Sequence, residues 1–193
     1  MGYNMIKGSK VYLCEIDPDN IEWMRQQRNK PDMRKYFREW KDITKDQQQE
    51  WYQSRGNNSN PNHVYFEIHA NGTSVALGNH IKPNQLVGVC GLHYIDWRLR
   101  SAEFGIFIDT DVHGLGLGKN ALITLFDFGF REMNLHKIWA EVYEFNQAMH
   151  VYTDKLGMQV DGKLRHNTFC DGKYHDSIML SILENEWFDK HGN

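Results

Sequence analysis

The sequence predicts a single α+β domain in which helices flank a central sheet built largely from antiparallel hairpins. Three observations carry that class. Apolar residues alternate at period two in segments joined by turn-forming residues, over 86–108 and again over 165–183. Between them, Leu122, Leu125, Phe126, Gly129, Phe130 and Met133 recur at helical spacing. The 193 residues, 40% of them apolar and only 4 of them proline, suffice for one core, and no repeat or linker divides them. The expected domain is 1–193, with a folded core over about 10–188.

Residues 11–16 alternate as a strand, and Asp19-Asn20 then offers a cap to a helix over 21–28. Pro31 interrupts that helix, because the residue before a proline avoids helical angles, and a short second helix follows over 32–37. Thr44 and Gln47 have the spacing of a capping box and open a helix to about Arg55, closed by a Gly- and Asn-rich loop over 56–62. Strands follow over 64–69 and 86–95, and the long connection from Asn71 to Gln85 reads as an insertion. Residues 102–108 return as the second arm of a hairpin, and a helix starts near Gly118. After a strand over 137–143, Asn146 caps a helix that reaches Leu156 and ends at Gly157. Asp171-Gly172 joins the last two strands, 165–170 and 174–183, since that pair tolerates the positive φ angles of a type I′ turn. A polar tail ends the chain.

Composition excludes several classes. No apolar run approaches the roughly 20 residues needed to cross a bilayer, and residues 1–10 lack the apolar core of a secretion signal. Cys14, Cys90 and Cys170 are odd in number and far apart, which fits neither a disulfide framework nor a metal knuckle and predicts a reducing, cytoplasmic setting. The ten histidines form no HExxH, so no metal is expected. With 22 basic and 25 acidic side chains the net charge is -3, giving no general attraction to nucleic acid.

The sharpest local feature is His113-Gly114-Leu115-Gly116-Leu117-Gly118-Lys119, between a strand and a helix. Glycines let successive amides turn inward and the helix N-terminus adds partial positive charge, a combination that suits a phosphate or pyrophosphate. The alternative is a glycine turn that only packs closely. A Walker loop fails here, because Val112 or His113 stands where its first glycine belongs and Asn120 replaces its Ser or Thr. The dinucleotide pattern GxGxxA fits Gly116 to Ala121, with Glu141 as the later acid, but the loop follows an antiparallel hairpin and leaves too little chain for further parallel units.

That loop, together with Asn146-Gln147-Ala148-Met149-His150-Val151-Tyr152-Thr153-Asp154-Lys155-Leu156-Gly157, resembles the two fingerprints of the acetyl-CoA-dependent GNAT N-acetyltransferase superfamily over nearly the whole chain. His113 stands where the family has Gln or Arg. The resemblance implies a GNAT fold, α+β with a mostly antiparallel mixed sheet, and acetyl-CoA as co-substrate without a metal. It implies that the amides of Leu115, Gly116, Leu117, Gly118 and Lys119 bind the CoA pyrophosphate with His113 and Gly114 also at the cofactor, that the strand edge from Phe104 to Ile108, Phe107 and Ile108 included, pairs with the pantetheine arm, and that Asn146 contacts the cofactor. Tyr152 would protonate the departing thiolate, the alternative being a core tyrosine. An attacking amine must be neutral, so a proton acceptor is needed; Glu103 leads, with His93, His166 and His175 as substitutes and a purely structural carboxylate as the alternative.

Arg25, Arg28, Lys30, Arg34, Lys35, Arg38 and Lys41 crowd the broken helix against only Asp32 and Glu39. In the family this region borders the acceptor, and a basic border suits an acceptor carrying phosphates. Residues 28–37 and 43–51 are similar to bacterial nucleotide-linked amino-sugar N-acetyltransferases, so a small, nucleotide-linked amino sugar is the expected acceptor, met by Arg28, Arg34 and His93. Residues 100–104 and 134–138 are similar to spermidine N-acetyltransferases, and the plan is shared with ribosomal-protein N-terminal acetyltransferases, so a polyamine or a protein N-terminus is the alternative. A non-enzymatic acetyl-CoA sensor or partner module is a further one. The resemblance also implies a possible homodimer.

Overall fold

The computed structural model describes residues 5–71 and 81–192. Among the described residues eight strands form one sheet: β1 (Ile6–Lys7), β2 (Val11–Cys14), β3 (His63–Ala70), β4 (Leu86–Asp96), β5 (Ser101–Ile108), β6 (Lys137–Tyr143), β7 (Gln159–Cys170) and β8 (Lys173–Leu183). Their spatial order is β1-β2-β3-β4-β5-β6-β8-β7, and every neighbouring pair is antiparallel except β5–β6. The expected class, α+β with a mixed and mostly antiparallel sheet, is the observed one. The long connection read as an insertion falls, over 72–80, outside the described residues.

Side-chain alternation divides the sheet into two faces. Val64, Phe66 and Ile68 of β3 turn toward the helix α4 (Leu117–Arg131), whose Leu122, Leu125, Phe126 and Phe130 complete the main core. The opposite face carries a smaller cluster, Ile16, Met24, Met33, Val89 and Phe107, beneath the helices α1 (Ile21–Asn29), α2 (Pro31–Arg34) and α3 (Lys45–Trp51). The capping box is present, with Thr44 accepting from the Gln47 amide and Gln47 from the Thr44 amide. Asp171 and Gly172 take φ of 51° and 79°, as the hairpin turn requires.

Several elements differ from expectation for identifiable reasons. Asn20 does not cap α1: it is itself helical, and its side-chain amide donates to Glu67 while Asp17 caps the preceding turn. Pro31 starts the short second helix at its first position, where its missing N–H is harmless, so that helix spans 31–34. β7 begins six residues before the expected start. The polar tail is in fact a helix, α6 (Glu184–His191). It has one strong anchor: Trp187 is 0% exposed, packs on Phe126 and Phe130 at ring-centroid distances of 5.4 and 5.9 Å, and donates its indole N–H to Asp127 at 2.9 Å. Trp187→Ala is expected to cost about 3–5 kcal/mol of unfolding free energy, measured by denaturant titration. Among the described residues no helix is long and apolar enough to cross a membrane.

Candidate active site

The parallel pair β5–β6 is the feature that makes a site. It is bonded only through Ser101/Lys137, Ala102/Ile138 and Glu103/Trp139; beyond Glu103 the two strands run apart in the middle of the sheet. Residues 104–108 and 140–143 therefore offer backbone groups to one another's side without a ladder between them. A cavity of about 600 Å³ opens in that gap, lined by Phe104 to Ile108 of β5 and by Ala140 to Tyr143 of β6. Unpaired strand backbone inside a sheet calls for a partner that carries amides and is extended. The arm of an acyl-carrying cofactor such as acetyl-CoA meets that description, so these residues fit the group.

At the end of β5 the chain turns through Thr110–Val112, and His113 leads extended into the glycine loop. Gly114 and Gly116 have φ of +83° and +75°, and Gly116 starts α4 with no side-chain cap, so no side chain takes the first amides of a 15-residue helix. That leaves donors and the helix dipole for an anion. Lys10 adds a cation: its Nζ donates to the Leu115 carbonyl at 3.0 Å and lies 3.4 Å from where a Cβ on Gly116 would sit. His113 Nε2 donates to the Ile108 carbonyl at 3.0 Å, so this ring closes the turn at the position where Gln or Arg is usual. Gly116→Val would force a β-branched residue into left-handed φ, at about 1–3 kcal/mol of strain; acetyl-CoA binding should weaken about tenfold or more by calorimetry, and Tm should fall by about 2–12 °C.

The helix α5 (Gln147–Leu156) is fixed at both ends. Asn146 accepts from the Met149 amide at 3.2 Å, and Gly157, at φ +89°, donates to the Thr153 and Asp154 carbonyls. This presents Tyr152 to the cavity, its hydroxyl 3.5 Å from the position of a Cβ on Gly118, an ordinary packing distance that seats the ring beside the start of α4.

At the other end of the cavity the charges are concentrated. Glu103, with a side chain 7% exposed, accepts from Arg38 at 2.6 and 3.2 Å, and the same guanidinium reaches Glu141, 14% exposed, at 3.2 Å. His93 Nε2 stands 3.5 Å from Glu103, and its buried Nδ1 has no hydrogen-bond partner. The ring lies against β5 where a Cβ on Gly105 would come within 2.9 Å of it. Burial pushes the Glu103 carboxyl up, but the hydrogen bonds from His93 and Arg38 outweigh it and hold the group below the usual carboxylate range. Burial disfavours the charge on Arg38, and its two carboxylate partners overcome this and raise its pKa. Phe37, Trp51, Tyr65 and Tyr94 wall the remainder. Burial pushes the Tyr65 hydroxyl up to about 12, leaving it a neutral donor.

The structure thus brings Glu103, His93, Phe107, Ile108, His113, Gly114, Asn146, Tyr152 and Arg28 to one cavity, with Leu115, Gly116, Leu117, Gly118 and Lys119 continuing from its rim onto α4. It does not bring Arg34, which pairs with Asp42. His166 and His175 also lie outside its lining, His175 bonded to Glu144 at 3.0 Å. Sequence placed Arg38 only in the basic run and Glu141 only in the rejected dinucleotide pattern, and gave Lys10 no role, since each gains its meaning from partners 65 to 105 positions away.

The sequence model of the acetyltransferase (GNAT) domain family matches residues 10–159. A spermidine N(1)-acetyltransferase of Escherichia coli (strain K12) is 37% identical over 93 residues, 48% of this chain and 50% of that protein. A putative ribosomal N-acetyltransferase of Bacillus subtilis (strain 168) is 28% identical over 102 residues, 53% of this chain and 56% of that protein. The chain spans about half the length of these curated relatives. In fold it is similar to the crystal structure of a spermidine N-acetyltransferase from Vibrio cholerae in complex with CoA and spermine, with TM-score 0.81, 22% identity, and coverage of 93% of this chain and 99% of that one.

Proposed function

Because this chain belongs to the GNAT acetyltransferase family, we propose that it transfers an acetyl group from acetyl-CoA to a primary amine of a linear polyamine. The carrying observation is the meeting of Glu103 and Glu141, both largely buried, around the single guanidinium of Arg38 beside the cavity. Arg28 and Arg55 against Glu39 line the same cavity, so its formal charges balance overall, but around Arg38 two carboxylates share one cation and keep oxygens that can accept from an ammonium chain. The spermidine N-acetyltransferase names among the relatives support the same acceptor class.

The amino-sugar acceptor expected from the basic run gives way to this reading. Five of its seven cations already have carboxylate partners: Arg25 with Glu22, Arg28 with Glu39, Lys30 with Asp109, Arg34 with Asp42, and Arg38 with Glu103 and Glu141. A run that looks basic in sequence is largely neutralised in space, which removes the argument for a phosphate-bearing acceptor.

Acetyl-CoA supplies an activated acyl group on a thiol leaving group. The loop amides and Lys10 hold the anionic end, and the open edge of β5 aligns the arm and donates to the thioester oxygen. The Tyr152 hydroxyl gives its proton to the departing sulfur. Glu103 and Glu141 hold the cationic chain, and His93 beside Glu103 takes the proton of the attacking amine. Spermidine and n-butylamine separate this reading from generic amine acetylation, because only the former carries further cations. We expect kcat/KM at least about tenfold higher for spermidine, matching about 1.4 kcal/mol for one added ion pair; equal values would remove the two-carboxylate reading. Self-association belongs to the same proposal, since a structural relative from Vibrio cholerae is described as dodecameric; a mass above the monomer by light scattering is expected.

A further inference from the structure

On the sheet face turned away from α4, and outside the cavity lining, a second group of reactive side chains meets. β2 and β3 pair with Cys14 opposite Glu67 and Tyr12 opposite His69, so Cys14, Glu67 and His69 share one face. The Cys14 sulfur, a Glu67 oxygen and a His69 ring nitrogen all lie within 4.8 Å of one another. Glu67 is 2% exposed and His69 14%, so this is not a surface scatter of polar groups.

Two of the three donors, His69 and Glu67, are held by outer partners. His69 Nδ1 lies 2.9 Å from the carbonyl of Asn84, which can only accept, so Nδ1 carries the hydrogen and Nε2 faces Glu67 Oε2 at 2.7 Å. The ring is further fixed by stacking on Tyr12, with centroids 5.1 Å apart and planes 10° from parallel. Glu67 Oε1 accepts from the Asp17 amide and the Asn20 side chain, both at 2.9 Å. An imidazole whose far N–H is bound to a carbonyl, beside a carboxylate that is itself oriented, is the outer arrangement that metal ligands use. Thiol, imidazole and carboxylate together select a thiophilic divalent ion over magnesium or calcium.

We propose that Cys14, Glu67 and His69 form a binding site for a divalent ion of the zinc class, with water in the fourth position. The ion takes the place of the proton between His69 Nε2 and Glu67 Oε2 and of the Cys14 thiol proton, both released to solvent. It ties β2 to β3 and, through Asp17 and Asn20, to the start of α1, the helix that brings Arg28 to the acceptor end. Its role is that of a brace, independent of the acetyl-transfer reading. The expectation of no metal rested on sequence spacing, and residues 14, 67 and 69 match no ligand motif because only strand pairing unites them.

The test uses the untagged, chelator-treated full chain titrated with Co²⁺ alone as a spectroscopic probe and then with Zn²⁺. Expected are one equivalent of Co²⁺ with a thiolate-to-cobalt charge-transfer band, bleaching of that band by Zn²⁺, and a higher Tm with Zn²⁺. Cys14→Ser and His69→Gln should each weaken Zn²⁺ binding about tenfold or more, while Cys170→Ser should not. A wild-type cobalt complex without the thiolate band would overturn the site without recourse to any variant. So would Zn²⁺ binding unchanged in both ligand variants, or a Tm that Zn²⁺ leaves unmoved.

Discussion

Tyr152→Phe should retain acetyl-CoA binding and lose acetyl transfer by about 10²- to 10⁴-fold, the range associated with removing one positioned proton donor. The ring packs beside Gly118 and against the core, and phenylalanine preserves both contacts. What disappears is the hydroxyl of a residue that lines the cavity between β5 and β6, where the acyl thioester would lie. The loss is expected in kcat, with KM for acetyl-CoA within about twofold, since a group acting only in the transition state leaves ground-state binding alone. A single-turnover measurement with calorimetric Kd checks both halves. Unchanged turnover would take Tyr152 out of the acid role and return it to the core.

Glu103→Gln acts at the opposite end of the cavity. It keeps the shape of the side chain, removes the charge, and leaves Arg38 facing Glu141 alone. Glu103 is buried but Arg38 is half exposed and screened by solvent, so the loss is set at a hydrogen bond to a charged group, about 1.5–3 kcal/mol, and kcat/KM for spermidine should fall about tenfold or more while the Kd for acetyl-CoA is unchanged. The pH dependence has a definite sign. The folded-state pKa of Glu103 is depressed. Its contribution is therefore complete above the unfolded-state carboxylate pKa and is lost as pH falls through the lower folded value. Loss of spermidine affinity in wild-type protein should lie on the acid side of the ordinary carboxylate range, and Glu103→Gln should lack that limb. A variant that binds spermidine as wild type does would show that Arg38, not substrate, is the true partner of this carboxylate.

Local rules were sufficient wherever a few adjacent residues decide a conformation. Thr44 and Gln47 satisfy each other's neighbouring amides, Asp171-Gly172 supplies two positive φ angles, and Gly157 ends α5 in the left-handed region, so all three were legible. The glycine loop and Tyr152 were legible for the same reason: backbone room and helix phase are short-range properties. Pairings across the chain were not. Arg38 belongs to a basic run in sequence but to Glu103 and Glu141 in space, which cancels the basic character inferred from that run. Asn20 looks like a cap and is instead held by Glu67, 47 positions on. The α6 helix was taken for a tail because its apolar content is concentrated in Trp187 and Phe188, and one buried indole outweighs a polar surround. Arg34 was expected at the substrate and is turned to Asp42, eight positions away.

Product analysis tests directly whether an acetyl group passes from acetyl-CoA to a polyamine nitrogen. Initial rates of thiol release would be measured with spermidine, spermine, a nucleotide-linked amino sugar and a peptide with a free N-terminus, each followed by mass spectrometry of the acceptor. The predicted result is a singly acetylated polyamine with the highest kcat/KM of the set. An amino sugar or peptide that outperforms both polyamines would contradict the acceptor, and absence of thiol release with all four, in protein whose Tm acetyl-CoA still raises, would contradict the enzymatic reading itself.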